Sequence, residues 1–205
     1  MYLKDILSRL FRSIFKSSPK KMLVLGRPQS GKTTLYNCLL NKKVGSRYEA
    51  TNYQTIKEFN VKHNDKEIII GKGVDLPGTI EEQINRLNID VKKFFKNETS
   101  NLMIYIVNCN DIDKQQLIEH AGRILNLAAR ELYDKTKIAI FYSHPDDMGY
   151  KSSDVTNIHK RFMESLRNDY PRVADKIDEY SLHYVVNLTK RDETLEVLFK
   201  TFERI

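Results

Sequence analysis

Eight residues, Gly26-Arg27-Pro28-Gln29-Ser30-Gly31-Lys32-Thr33, constrain this chain more than any others. They fit the pattern G-x-x-x-x-G-K-[ST] at every fixed position. Before them, Met22-Leu23-Val24-Leu25 is a short apolar run that reads as a buried strand. After them, residues 34–40 carry apolar side chains at helical spacing. Strand, glycine loop and helix is the arrangement that binding a polyphosphate requires. Gly26 and Gly31 let the backbone wrap an anion without Cβ clashes. The N–H groups of Arg27, Pro28's neighbours Gln29 and Ser30, and on to Thr33 and Thr34 then point inward at the positive end of the helix. In such a loop Lys32 reaches the β- and γ-phosphates, and the Thr33 hydroxyl ligates Mg2+.

The rest of the chain supplies the elements that such a loop needs around it. Residues 41–55 are polar and read as a long loop. Residues 56–63 alternate apolar and polar as an edge strand does, Asn64-Asp65 turns, and Ile68-Ile69-Ile70 lies in a second strand, so the two form an antiparallel hairpin. That hairpin ends at Asp75-Leu76-Pro77-Gly78, a D-x-x-G motif. An aspartate at the C-terminal end of a strand is placed to hold the Mg2+ shell, and the Gly78 N–H can approach a γ-phosphate. Residues 80–97 read as a helix and 102–108 as a buried strand. A helix follows over 114–135, then a buried strand over 138–142 leading into Ser143-His144-Pro145-Asp146. A helix over 153–170 stops before Pro171, a short strand covers 182–186, and a last helix covers 192–205 with Asp192 as its cap. Strands alternating with helices predict an α/β fold of three layers, with a mostly parallel six-stranded sheet and one antiparallel edge strand from the hairpin.

The chain divides into residues 1–19 and a single domain over 20–205. In the first segment Leu3, Ile6, Leu7, Leu10, Phe11, Ile14 and Phe15 recur at i, i+3, i+4 and i+7, with basic and polar residues between them. This is an amphipathic helix over residues 1–16, too short to cross a bilayer, closed by Ser17-Ser18-Pro19. The net charge of +7 gathers at this end. Lys4, Arg9, Arg12, Lys16, Lys20 and Lys21 stand there against Asp5 alone, so the high isoelectric point describes a basic arm on a near-neutral body. A nucleic-acid-binding role is therefore not expected. Anionic lipid is the partner this face fits, with the domain body or a second copy, and hence dimerisation, as the alternatives. The two cysteines, Cys38 and Cys109, fall far apart in segments that read as buried, which suggests a reducing, cytoplasmic compartment. The histidines show no metal-ligand spacing.

In the order of its motifs, the chain resembles the small P-loop GTPases of the TRAFAC class. Gly26-Arg27-Pro28-Gln29-Ser30-Gly31-Lys32-Thr33-Thr34-Leu35 and the proline in Asp75-Leu76-Pro77-Gly78 look like Era/TrmE-type GTPases. The amphipathic N-terminal helix followed by Thr55-Ile56-Lys57-Glu58-Phe59-Asn60-Val61 is similar to Arf-like GTPases. The resemblance spans about residues 21–205 and is most specific at the P-loop. It implies GTP and GDP as ligands, with Mg2+, and an effector or activating protein as partner. It places Lys32, Thr55 and Gly78 at the γ-phosphate, and Thr33, Thr55 and Asp75 at Mg2+, with Thr51 as the runner-up for Thr55. In the family, Asn-Lys-x-Asp reads guanine after the fifth strand. Here Ser143-His144-Pro145-Asp146 stands there. Asp146 would accept from guanine N1 and N2, His144 would stack beside the base, and Ser143 serves the asparagine's role in part. The last family motif falls near Asn187. Thr79 occupies the position of the water-orienting glutamine of Ras- and Arf-type chains, Gln29 that of the Era/TrmE-type asparagine, and Gln83 lies one helical turn beyond.

These features predict a Mg2+-dependent GTP-binding switch with slow hydrolysis of GTP to GDP and phosphate, peripheral on the cytoplasmic face of a membrane. Two other readings compete. One is a scaffold that holds nucleotide without turning it over, which Ser143-His144 and Thr79 favour. The other is an ATP-using P-loop enzyme, against which stands the lack of an arginine-rich lid or acceptor-site segment.

Overall fold

A computed structural model describes residues 20–42, 54–64, 66–75, 79–86, 101–132 and 136–204. The strands are β1 (Lys20–Gly26), β2 (Gln54–Ile56), β3 (Phe59–His63), β4 (Lys66–Asp75), β5 (Asn101–Asn108), β6 (Thr136–Ser143) and β7 (Ser181–Val185). The helices are α1 (Lys32–Leu39), α2 (Ile80–Arg86), α3 (Gln115–Leu132), α4 (Val155–Asp169), α5 (Pro171–Tyr180) and α6 (Arg191–Glu203). The N-terminal segment, residues 1–19, lies outside the described residues, as do 87–97 of the helix expected after Gly78.

The central strands are apolar on both faces, as strands covered from both sides must be. Along β1, Leu23 and Leu25 face one way and Met22 and Val24 the other. Along β5, Met103, Tyr105 and Val107 alternate with Leu102, Ile104 and Ile106. The first set packs under α3, α4 and α5, and the second under α1 and α6. Sheet and two helical layers thus enclose two separate apolar cores. The strand order is β2-β4-β1-β5-β6-β7, with β4, β1, β5, β6 and β7 parallel. β2 and β3 both pair antiparallel with β4 and share one register. Ile56 faces Gly73 and Phe59 faces Ile70, three residues apart on either strand. They are one edge strand interrupted at Lys57-Glu58, and the sheet is the mostly parallel six-stranded one that the sequence predicts. Asn64, with φ 52°, supplies the left-handed residue that a tight hairpin turn requires.

Two details depart from expectation. Pro171 ends α4, but it also opens α5 as its first residue, where a missing N–H costs nothing. The ten-residue α5 buries Val173, Ala174 and Ile177. Asp192 does not cap the last helix: Lys190 holds that position, and Asp192 lies inside the first turn. Both cysteines are free thiols, and burial pushes Cys109 up to about 12 and raises Cys38.

His159 of α4 is buried against the last two strands. Its Nδ1 meets the Tyr142 hydroxyl at 2.8 Å, and its ring stacks on His183 with centroids 3.9 Å apart. Asp178 Oδ1 lies 3.4 Å from its Nε2, and Arg167 in turn holds Asp178. Burial, helped by His183 and opposed by Asp178, pushes His159 down to about 4, and burial also lowers His183. The stack is therefore neutral at pH 7. A base whose value falls on folding takes up its proton more readily unfolded, so its contribution is complete above about pH 6.5 and is lost as pH falls toward 4. We expect a loss of about 3 kcal/mol from this ring across that window. Urea denaturation at pH 7 and pH 4.5 would measure it, and His159→Phe should flatten the profile. An equally steep profile in the variant would show that other groups carry the acid sensitivity.

Candidate nucleotide-binding site

The glycine loop joins β1 to α1 at the C-terminal edge of the sheet. Gly26 closes β1 with φ 144°, and a Cβ there would come within 2.6 Å of both Ile106 O and Ser30 Oγ. No other residue fits without moving the loop. Gly31 is the N-cap of α1 with φ 104°, and a Cβ there would meet Leu188 Cδ1 at 2.6 Å. Between them Gln29 is also left-handed, at φ 61°. Successive residues of alternating hand turn their N–H groups toward one concavity, ahead of a helix N-terminus that already favours an anion. Lys32 is buried, and its ammonium donates to Gly26 O at 3.0 Å and Arg27 O at 2.8 Å. The loop thus fixes its own cation. Thr33 stands exposed in the first turn of α1, followed by Thr34.

Three long-range contacts hold the loop. The Arg27 guanidinium bridges to Asp111 Oδ2 at 3.4 Å and Gln116 Oε1 at 2.9 Å, at the exit of β5 and the start of α3. The Gln83 amide, fully buried, donates to Gly26 O at 2.7 Å. The Ser143 hydroxyl, at the end of β6, donates to Ser30 O at 2.7 Å and lies 3.3 Å from Val107 O. Pro28 is exposed at the tip.

Ser143 also begins the second half of the site. His144 turns the chain with φ 56° and places its Nδ1 3.7 Å from Asp147 Oδ2. Asp146 lies exposed in the turn that follows, and its Oδ2 accepts from Asn187 Nδ2 at 2.5 Å, with Lys190 Nζ 3.5 Å away. Asn187 is itself clamped. Its side-chain oxygen accepts from the Thr189 N–H and hydroxyl, and its N–H donates to Glu193 Oε1. The loops after β6 and β7 therefore meet at Asp146, and the hydroxyl of Ser143 ties them to the loop after β1. The glycine loop and the Asp146 carboxylate share one sheet edge, where open α/β sheets bind ligands.

The structure brings Asp146 and Asn187 into contact, with Ser143 at the start of the same loop as Asp146. Arg27's partners, the Lys190 pairing and the burial of Gln83 depend on long-range contacts that leave no local signal in the sequence. Thr55 lies in β2 with its backbone beside Val74, one pair from Gln54 and Asp75, and Asp75 ends β4 next to Val24 of β1. The side chains of Thr55 and Asp75, and Thr51 and Gly78 altogether, lie outside the described residues. Thr79 donates its hydroxyl to Glu82.

The 50S ribosome-binding GTPase family model matches residues 21–142. Among solved structures the chain is similar to one titled as the signal recognition particle receptor SRb-GTP/SRX complex from Chaetomium thermophilum. The TM-score is 0.58 at 13% identity, over 83% of this chain and 90% of that one. It is also similar to Methanosarcina barkeri Roco2 RocCORdC bound to GDP, with a TM-score of 0.55 at 16% identity, over 92% of this chain and 49% of that one. No curated protein matches the chain in sequence. At such identities the two structures speak for the fold, whereas the family model covers more than half of the chain and includes the loop, the Asp75 strand and β6. The chain belongs to the 50S ribosome-binding GTPase family and is a P-loop protein that binds guanine nucleotide.

Proposed function

We propose that the chain is a Mg2+-dependent GTP switch with slow intrinsic hydrolysis, working on a membrane surface through residues 1–16. The observation that carries this reading is the Ser143 hydroxyl on the Ser30 carbonyl, which couples the loop that holds phosphates to the loop that carries Asp146. Thr33 lies in the first turn of α1, after the loop that leaves β1, and Asp75 ends β4, the strand beside β1; a hydroxyl and a carboxylate are of the kind Mg2+ takes with substrate phosphates. Bound there, the ion would neutralise charge on the β- and γ-oxygens. Thr55, or Thr51, would close on that centre, and the Gly78 N–H would meet the γ-phosphate. The SRb structure, titled as an SRb-GTP/SRX complex, offers a precedent for a protein partner on a fold of this kind.

Slow turnover follows from the lack of a carboxamide at Thr79 and the placement of Gln83. Thr79 has its hydroxyl committed to Glu82, and the nearest glutamine in sequence, Gln83, has its amide turned into the loop. Neither side chain is offered to an attacking water. Single-turnover hydrolysis of bound GTP should run far below a typical enzyme rate of about 10 s⁻¹ and rise only with a partner that supplies the missing group. A rate near that value in the isolated chain would contradict this reading. No detectable turnover with tight GTP binding would favour the scaffold.

For the membrane, seven large apolar residues on one face and flanking lysines and arginines make a reversible interfacial helix. Burial of each apolar side chain contributes about 1.5–3 kcal/mol, and each basic residue near anionic lipid adds about 1 kcal/mol. Among the described residues no helix is long and apolar enough to cross a membrane. The full chain should pellet with anionic liposomes, and a chain beginning at Lys20 should not. Equal pelleting of the two would assign the helix to the body or to a second copy.

A further inference from the structure

Gln83 lies on α2, just beyond the Asp75–Gly78 motif, and points away from solvent. Its side chain is fully buried, and its amide donates to Gly26 O at 2.7 Å. The same carbonyl accepts from Lys32 Nζ at 3.0 Å. Helix α2 and Lys32 thus share one acceptor, at the first residue of the loop. Among the described residues, α2 is also attached through apolar contacts. Ile80 and Ile84 pack against the core cluster that includes Leu117 and Ile118 of α3, while Glu81, Glu82 and Asn85 are exposed. Ile80, Gln83 and Ile84 stand three and four residues apart, so they form one face. Apolar contact holds such a face without fixing its register, because it is non-directional. The amide hydrogen bond supplies the direction.

We infer that Gln83 is a positioning residue whose amide latches α2 onto the Gly26 carbonyl beside Lys32, so that docked α2 and an ordered phosphate loop form one unit. The inference rests on the reading of the chain as a GTP switch. In that setting, phosphates that order the loop also hold α2, and docking of α2 strengthens nucleotide binding by the same factor. The carboxamide is then spent on coupling, which is why it does not substitute for the residue that Thr79 replaces.

Hydrogen–deuterium exchange on the full chain tests the latch, comparing wild type with Gln83→Leu and Gln83→Met, both of which remove the donor and keep the side chain's bulk. Each protein is measured without nucleotide, with GDP and with a non-hydrolysable GTP analogue, with α3 as the internal reference. Without nucleotide, the amides of residues 83–86 should exchange about three- to tenfold faster in both variants, the range of one hydrogen bond, while α3 keeps its wild-type rate. Nucleotide should protect α2 in wild type and protect it less in the variants. A merely structural role would leave that nucleotide-dependent gain intact. The latch is overturned by wild-type exchange of α2 in both variants, by α2 and α3 accelerating together, or by an undiminished gain on nucleotide binding. If wild type binds no guanine nucleotide, the functional reading fails on its own account, and the nucleotide-free comparison still decides whether Gln83 holds the helix.

Discussion

Lys32→Ala abolishes nucleotide binding, with affinity for GTP and GDP alike falling by at least about a thousandfold. The ammonium is buried at the start of α1 and anchored on Gly26 O and Arg27 O. It enters the complex already placed, so little ordering cost is due when phosphates arrive. With two of its three N–H donors on the loop carbonyls, the ammonium gives at most one to a phosphate oxygen, worth roughly 1.5–3 kcal/mol, and the buried cation's attraction for the remaining phosphate charge makes up the roughly 4 kcal/mol of a thousandfold loss at 1.4 kcal/mol per decade. The truncation also strips two loop carbonyls of a donor, which loosens the loop itself. Equilibrium titration with a fluorescent GTP analogue measures the loss, and a thermal melt separates it from global unfolding. Binding within tenfold of wild type would mean that the loop's N–H groups and Mg2+ carry the phosphates without the lysine.

Asp146→Asn should exchange the preferred base. Guanine offers N1–H and N2–H2 donors to a carboxylate, whereas an amide presents one donor and one acceptor. Xanthine carries a carbonyl at its 2-position and matches the amide. A bidentate charge-assisted pair is worth several kcal/mol, so GTP affinity should drop by about a hundredfold or more while XTP affinity rises. Asn187 and Lys190 now share the carboxylate. In the variant the lysine loses its counter-charge, which sharpens the loss for GTP without restoring it. Competition between GTP and XTP on the two proteins reads the switch. An unchanged ratio would remove Asp146 from base recognition.

What could be read in advance follows the range of each interaction. The glycine loop, the apolar strands and the hairpin are local patterns, where turn chemistry and alternation fix the structure within a few residues. The ten-residue α5 escaped because Pro171 reads as a stop, and a stop and a start are the same residue there. Lys190 displaces Asp192 as the N-cap without a side-chain hydrogen bond, which no propensity announces. The contacts that assemble the site are longer still. Ser143 and Ser30 are 113 residues apart, and Arg27 and Asp111 are 84 apart. Each pairs a side chain with a partner that only the sheet order brings near. Ser143 shows the consequence most plainly. By type it is a poor replacement for asparagine, yet by position its single hydroxyl reaches the loop carbonyl. Gln83, in turn, lies beside the place where a catalytic carboxamide is sought, and the fold buries it in the loop instead.

The measurement closest to the central claim is a competition titration of the full chain with GTP, GDP and ATP, with Mg2+ and with EDTA. The account predicts that GTP and GDP displace a bound guanine probe at least about tenfold more effectively than ATP, the factor that one base-reading contact of about 1.4 kcal/mol supplies, and that EDTA weakens GTP more than GDP. ATP competing as well as GTP would contradict it, because Asp146 would then read no base.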